Sequence, residues 1–432
     1  MTDTATRDET REAANARAFS RMTGAEPVLR DIRPAIDALP GMSPDLILTS
    51  GPAMPFEEYS GGQREALIGG ALYEGLAGDR QQAIERLRAG TIRIGGCHEY
   101  GAVGSLAGIY TASMPVFVVE NTSRGNIGFC NIYEGTDPER LNYGVYNEKI
   151  HRRLKYIADV VSPAIARAVR DTGGIPLKPL MVRALHMGDE LHSRNTAAAL
   201  LFLRELVPAF LRRARNGDND IDAAVQAMTE DHYFFLRLSM AAAKVAADAA
   251  HNVGGSSLVT GMAFNCRGFA IRVSGLGDLW YTGPHADVSA RLFDGFSEAD
   301  ITWMGGESPI TETIGLGGFA QAAAFPLQRY QGGSAQKMIE RNLALYRITE
   351  GENPDFRIPA LDYRGTPTGI DIFRVIETGI QPVMDIGIAG RNGGQIGAGI
   401  VRAPLDCFKA AVDDFRHQIS NSVLRESNPE EG

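Results

Sequence analysis

No stretch of this 432-residue chain approaches the roughly 18 uninterrupted apolar residues that a membrane-spanning helix needs, and it holds no dense Lys/Arg run. With 43 basic against 52 acidic residues the formal net charge is −9. Duplex nucleic acid and anionic membrane surfaces are therefore not expected partners, because clustered positive charge drives both kinds of binding. Cysteine is scarce: Cys97, Cys130, Cys266 and Cys407, with no CxxC pair. That spacing excludes zinc-ribbon and thioredoxin readings, and a disulfide framework is not expected in so large a chain of a reducing compartment. The N-terminal text MTDTATRDETREAANARAFSRM is charged throughout and lacks an apolar signal core, so the expected location is the cytoplasm. GxxxxGK[ST] and GxSxG are missing, and no clean GxGxxG falls between a strand and a helix. Nucleotide binding and serine-nucleophile chemistry are thus unsupported. No carboxylate–histidine group has metal-ligand spacing, and neither a metal nor a cofactor is expected.

Glycine is the residue in excess, at 49 positions, where roughly 7% is usual. The glycines cluster in short motifs, which points to tight turns and close backbone approaches rather than to a flexible linker. The 44% hydrophobic and 22% charged content is that of a globular protein. Alternating strand-like and helical text gives an α/β class, with glycine-loop-rich N- and C-terminal α/β parts around a large helical middle block.

The expected parts are a helical arm at 1–25, an α/β part at 26–145, a helical block at 146–252, a glycine-rich α/β part at 253–420, and a disordered tail at 421–432. PDLILTSG, TIRIGG, MPVFVVEN, GNIGFCNIYEG, FAIRVSG and QPVMDIGIAG read as strands. Asp79 reads as the N-cap of the helix in DRQQAIERLRAG. EDHYFFLRLSMAAAKVAADAAHN is apolar almost all round, the pattern of a helix buried between neighbours.

LHMGDELHSRN, residues 185–195, is the densest polar segment. On one straight helix His186 and His192 would stand about 240° apart and could not share a metal. The expected parse breaks the helix at Gly188 and restarts it at once, with Asp189 as cap and Glu190–Arg194 as an i, i+4 ion pair. This leaves His186, His192 and Asn195 for acid–base or carboxylate-binding work near a positive helix end. CHEYGAVG places His98 and Glu99 at a strand end, where α/β folds usually carry chemistry; adjacent residues in extended chain face opposite ways, so at most one serves a given pocket. VVENTSRGN offers Glu120, Asn121, Arg124 and Asn126, in which an arginine near carboxamides suits a carboxylate and an amide. The later glycine segments at 254–265, 275–284, 305–318 and 387–399, all read as loops, add Asn265, Asp278, Glu307, Ser308, Thr311, Arg391 and Gln395 as candidate substrate-binding positions. Each group has a bland alternative: a polar loop, a cap or a surface turn.

Six motifs in order carry a resemblance: HEYGAVGSLAGIYTASMPVFVVENTSRGN, LHMGDELHSRNTAAALLFLRELVP, VSGLGDLWYTGP, SPITETIGLGGFA, IPALDYRGTPTGIDIFRVIETGI and GQIGAGIVRAP. Together, over about 45–415, they resemble the YlbE-like family, whose AllG-type members are subunits of oxamate carbamoyltransferase. The resemblance implies a carbamoyltransferase: oxalurate and phosphate giving oxamate and carbamoyl phosphate, beside an FdrA-like partner subunit and a third protein. This chain departs from the family pattern in ITWMGGESPITET, which loses an acidic residue near Met304 or Gly305, and in GIAGR, which loses a histidine.

The expected function is metal-independent carbamoyl transfer on a small anionic carboxylate bearing an amide or ureido group, with phosphate as a candidate co-substrate. Arg124 and Arg391 are the candidate clamp. Asn121, Asn126 and Asn195 are candidate donors, and His98, His186 or His192 would move the proton. The alternatives are an amidohydrolase of a carboxamide or ureido compound, and a non-catalytic metabolite-binding or scaffold subunit beside an FdrA-like partner. A homo-oligomer is the default for such an enzyme.

Overall fold

The run from Phe234 to Ala247 contains no fully exposed position, and in the computed structural model it forms the helix Tyr233–Ala249 at the centre of the molecule. The structure describes residues 2–230 and 233–427, and side chains between 11 and 418 within those bounds. Alanines along this helix let its neighbours come close. The strands Pro115–Asn121 and Ile127–Asn131 pack on it, and the helices Thr2–Thr23, Leu177–His186 and Thr196–Arg215 also lie against it. Burial on every side is what the unbroken apolar text requires.

Those strands belong to a five-stranded mixed sheet in the order Ala102–Val103, Ile127–Asn131, Pro115–Asn121, Pro27–Pro34, Ile175–Pro176. Only the first pair is parallel. A separate parallel pair, Leu46–Thr49 with Arg93–Gly96, is joined through the helices Gly61–Tyr73 and Arg80–Arg88. Asp79 caps the second of these by accepting from Gln82 N at 2.8 Å.

The C-terminal part has its own apolar core. It is built from a meander of Val259–Phe264, Phe269–Val273 and Tyr281–Gly283, and from a sheet in the order Asp287–Leu292, Gln395–Arg402, Val383–Gly390, Ile301–Thr302. The hairpin Thr349–Ile358/Arg364–Ile370 and the helix Leu405–Ser427 complete it. The α/β class with a helical middle is thus the observed architecture. The helix reaches residue 427, past the expected start of a tail at 421, and 428–432 lie outside the described residues. No helix among the described residues is long and apolar enough to cross a membrane.

One glycine-rich reading needs correction. GIAGRNGGQIGAG is a hairpin of two strands, not a loop. Gly397 and Gly399 stand where the neighbouring strand's backbone comes closest: a Cβ on either would collide with the carbonyl of Arg291 or Ser289. Glycine here buys strand contact rather than turn freedom. GGSSLVTGMAFN likewise ends in the strand Val259–Phe264.

Candidate active site

The segment between Leu177–His186 and Thr196–Arg215 is neither helix nor strand, and its shape comes from its own acids. Gly188 turns the chain at φ +98°, and Leu191 lies at φ +70°, a region an L-residue enters only under constraint. The constraint is the buried Glu190. Its carboxyl oxygens accept the backbone N–H of Ser193, of Arg194 at 2.8 Å and of His192 at 3.3 Å, a ring of amides closed around one side chain. Asp189 Oδ2 accepts from Ala198 N at 2.9 Å, in the first turn of the next helix. Asn195 donates to the His192 carbonyl at 2.8 Å and accepts from Ser239 Oγ at 3.3 Å.

The expected parse is therefore corrected in two respects. Asp189 does cap a helix, but that helix begins at Thr196, seven residues later. Glu190 does not pair with Arg194, whose Nε turns to the Gly188 carbonyl at 2.9 Å and to Asp189 at 3.5 Å. Three backbone N–H groups outcompete one partly exposed guanidinium for a fully buried carboxylate.

This loop delivers His192, buried, with Nδ1 2.8 Å from Glu312 Oε1 and 3.3 Å from Thr311 Oγ1. Glu312 is fully buried on the short helix Ile310–Thr313. It also accepts from Thr311 Oγ1 (2.8 Å), Gly318 N (3.0 Å) and Asp385 N (3.1 Å). Gly317 makes room, because a Cβ there would overlap the Glu312 carboxylate. Burial alone would push the His192 imidazole down; the Glu312 charge, its hydrogen bond and the Asp385 charge outweigh this and raise it. Burial and the Glu312 charge push the Asp385 carboxyl up to about 6, and burial raises Glu190 well above its usual range.

His192 and Ser193 line a cavity together with Ser105, Ser308, Gln395, Arg140, Asn142 and Arg237. Arg237 comes from the central helix. Arg140 and Asn142 come from a loop fixed by Glu134, which accepts from Leu141 N at 2.8 Å and Asn142 N at 3.1 Å. Arg140 donates to Tyr133 Oη (2.8 Å) and the Gly135 carbonyl (3.0 Å), with its guanidinium 4.4 Å over the Tyr143 ring. Arg237 Nη1 reaches Asn131 Oδ1 at 3.2 Å. Three buried nitrogens in these residues, Arg140 Nε, Asn142 Nδ2 and Arg237 Nε, have no hydrogen-bond partner. Buried donors left open in this way are costly to the folded state.

Of the positions singled out from sequence, His192, Ser308 and Gln395 line this cavity. Thr311 and Asn195 hold the His192 loop. Glu307 braces the cavity's edge, accepting from Gly51 N (2.9 Å) and Gly104 N (2.7 Å), with burial pushing its carboxyl up to about 8.

The other positions lie elsewhere. His98 is buried edge-on to Trp280 and held below its usual range by burial, while Glu99 pairs with Arg272 at 2.7 Å. His186 is exposed against Tyr363. Glu120 forms a surface ion pair with Arg30 at 2.6 Å. Asn121 and Asn126 bond each other at 2.9 Å and shape their own loop, and Arg124 is exposed. Asn265 closes a turn onto Arg267 N and Gly268 N, and Asp278 meets His251 at 3.2 Å on the surface. The Arg391 side chain turns to the Ala299 carbonyl. The arginines that line the cavity are Arg140 and Arg237; Arg124 and Arg391 do not.

Sequence reasoning passed over Glu312, Asp385, Arg140, Asn142 and Arg237. Two carried a signal: Arg237 in FFLRLSMAAA and Asp385 in VMDIGIA are lone charges in buried runs, which persist only with a specific partner or role. Among the described residues no cluster of three or more His, Cys, Asp or Glu is arranged to hold a metal ion.

Fold and cavity together define an α/β protein with a pocket that brings a carboxylate-held imidazole together with two buried guanidiniums. Residues 92–308 match the family model described as oxamate carbamoyltransferase subunit AllG. The chain is 37% identical over 407 residues to the oxamate carbamoyltransferase subunit AllG of Escherichia coli (strain K12), covering 93% of this chain and 96% of that protein. It is 38% identical over 402 residues to the uncharacterized protein YahG of the same strain, covering 93% and 85%. A crystal structure of a conserved protein of unknown function from Enterococcus faecalis V583 superposes with a TM-score of 0.91 at 36% identity, covering 95% of this chain and 99% of that one. This chain belongs to the AllG family.

Proposed function

We propose that this chain is a carbamoyltransferase subunit whose cavity binds a small carboxylate bearing an amide or ureido group, of the oxalurate and oxamate type. One observation carries the reading: His192, bonded to Glu312 through Nδ1, lines one cavity with Arg140, Asn142 and Arg237. The two guanidiniums suit the substrate carboxylate and its adjacent carbonyl, and Asn142 suits an amide oxygen.

In the transfer, the bond from the carbamoyl carbon to the substrate nitrogen breaks as a phosphate oxygen bonds to that carbon. The departing nitrogen needs a proton. With Nδ1 held by Glu312, His192 Nε2 is the atom that delivers it, and the acid's raised affinity for its proton suits that task. In the reverse direction the same nitrogen takes the proton back. The relative of Escherichia coli is a subunit, which supports a complex; the partner proposed to complete the reaction is FdrA-like.

The test is a thermal-shift and product-mass screen of the purified chain with oxalurate, oxamate and carbamoyl phosphate, with and without phosphate. Stabilisation by oxamate that Arg237→Ala abolishes is the expected result. Silence toward all three ligands would refute the reading. New product from the chain alone would show a complete active site, and binding without product would assign the missing step to the partner.

A further inference from the structure

The strand Asp287–Leu292 ends the C-terminal sheet and is bonded to Gln395–Arg402 on one side only. Its ladder fixes which backbone groups are used. Phe293 N donates to the carbonyl of Ile396, the next pair of the register. Asp287, Ser289 and Arg291 share that phase, so their amides and carbonyls turn inward to Gln395–Arg402. The closeness of the Ser289 and Arg291 carbonyls to Gly399 and Gly397 agrees with this. Val288, Ala290 and Leu292 therefore turn their backbone groups to the open edge. Among the described residues no backbone partner outside the sheet meets them there.

An open row of this kind takes up another strand unless its side chains prevent it, and the usual deterrent is charge. Here the exposed face carries one charge of each sign, Asp287 and Arg291, with Ser289 halfway between them. Arg291 donates to the Arg329 carbonyl at 3.0 Å, and neither charge has an ion-pair partner among the described residues. Such a strand is complementary to itself. Two copies run antiparallel about a twofold axis at Ser289 put Asp287 of each opposite Arg291 of the other, and Val288 opposite Ala290. Val288 and Ala290 are residues whose backbone groups face outward, as a hydrogen-bonded pair requires. Asp287 and Arg291 then take the closer spacing of a non-hydrogen-bonded pair, where opposite charges attract best. An axis on Asp287 or on Arg291 would instead set like charges against each other.

We propose that this edge is a self-association surface, at which two copies of the chain pair antiparallel through Asp287–Leu292 into one continuous sheet. The occupant is a second copy because the strand's own sequence meets both the register and the charge. Phe293, 39% exposed, gains cover in this arrangement, since it falls opposite the copy's His285. The joined sheet runs on through Gln395–Arg402 and Val383–Gly390, which carry Gln395 and Ile386 to the cavity. The two cavities of the dimer are then built on one sheet. Pairing needs no ligand and does not depend on the reaction assigned above.

Sedimentation velocity of the full chain from roughly 1 to 100 μM, the range in which small interfaces associate, tests this. Wild type should dimerise. Asp287→Arg and Arg291→Asp each place like charges opposite one another, and each should weaken the dimer about 10-fold or more. An equimolar mixture of these two variants restores an Asp–Arg pair at both places and should dimerise as wild type does. Ala290→Pro removes an edge amide that the ladder to Gln395–Arg402 does not use, so it should fold and remain monomeric. Circular dichroism and Tm check the fold of each variant. Should the proline disturb it, the charge changes, confined to exposed side chains, still decide. A wild-type monomer across the whole range overturns the surface, as does a dimer that survives all three substitutions. Charge variants that stay monomeric when mixed overturn the antiparallel pairing about Ser289.

Discussion

His192 Nδ1 lies 2.8 Å from Glu312 Oε1, in a contact where the imidazole is nearly and the carboxylate wholly withdrawn from solvent. The residues are 120 positions apart, one on a loop held open by Glu190 and one on a four-residue helix, so the couple exists only in the folded chain. Its consequence for pH dependence follows from the direction of the shift. A histidine raised on folding adds stability that is complete below its ordinary value of about 6.5 and is lost as pH rises through the raised value. Glu312→Gln should remove that component, because burial without the counter-charge favours the neutral ring. The check is Tm against pH for both proteins: the variant should sit lowest relative to wild type at the acid end of the neutral range and approach it at alkaline pH. A gap that does not change with pH would mean that the couple is not charged.

Glu307 gives a second pH signature, from a different cause. Burial lifts its carboxyl from an ordinary 4.5 to about 8. The unfolded chain therefore ionises first, and the folded protein loses stability as pH climbs from about 4.5 to 8, by up to ~1.4 kcal/mol per pH unit for one proton. Glu307→Gln cannot ionise and should flatten that part of the stability curve. It keeps one acceptor for the Gly51 or Gly104 amide, so it should fold. Urea unfolding at several pH values across the window would show whether the slope difference appears.

The two acids before His192 should differ sharply in what they hold. Asp189→Ala removes one acceptor from the first turn of Thr196–Arg215, a loss of about 1 to 2 kcal/mol for a cap. Glu190→Ala orphans three buried amides and removes what keeps Leu191 at positive φ, so its cost should exceed that of Asp189→Ala by at least about 2 kcal/mol. Chemical denaturation of the two variants ranks them. The reverse order would mean that the loop is held mainly by the helix cap.

How far the text reveals the molecule depends on the range of the interactions involved. The central helix, the strands through MPVFVVEN and FAIRVSG and the Asp79 cap rest on local pattern and were legible in it. The hairpin at Gln395–Arg402 was not, because glycines that allow a strand to approach look like glycines that allow a turn. His192 was legible as a polar residue beside a helix break. Its partner Glu312 was not, since an acid near a helix start reads equally well as a dipole contact. Arg124 shows the converse: a sequence context suited to carboxylate binding, on a loop that remains exposed.

Arg237 combines both kinds of evidence, and its removal should separate stability from binding. It sits on a helix buried on every side, with Nη1 on Asn131 Oδ1 at 3.2 Å and Nε unpartnered. An ion buried with incomplete hydrogen bonding burdens the folded state, and an apolar residue of similar length relieves that burden. Arg237→Met should therefore leave Tm unchanged or raise it. The same change removes a charged donor from the cavity, worth roughly 1.5 to 3 kcal/mol toward a carboxylate, so oxamate affinity should fall about 10- to 100-fold. Thermal unfolding and calorimetric titration of one preparation decide the matter. A variant that loses stability along with binding would show Arg237 to be a structural ion, whereas a stable variant that no longer binds would place it in the site as the carboxylate's partner.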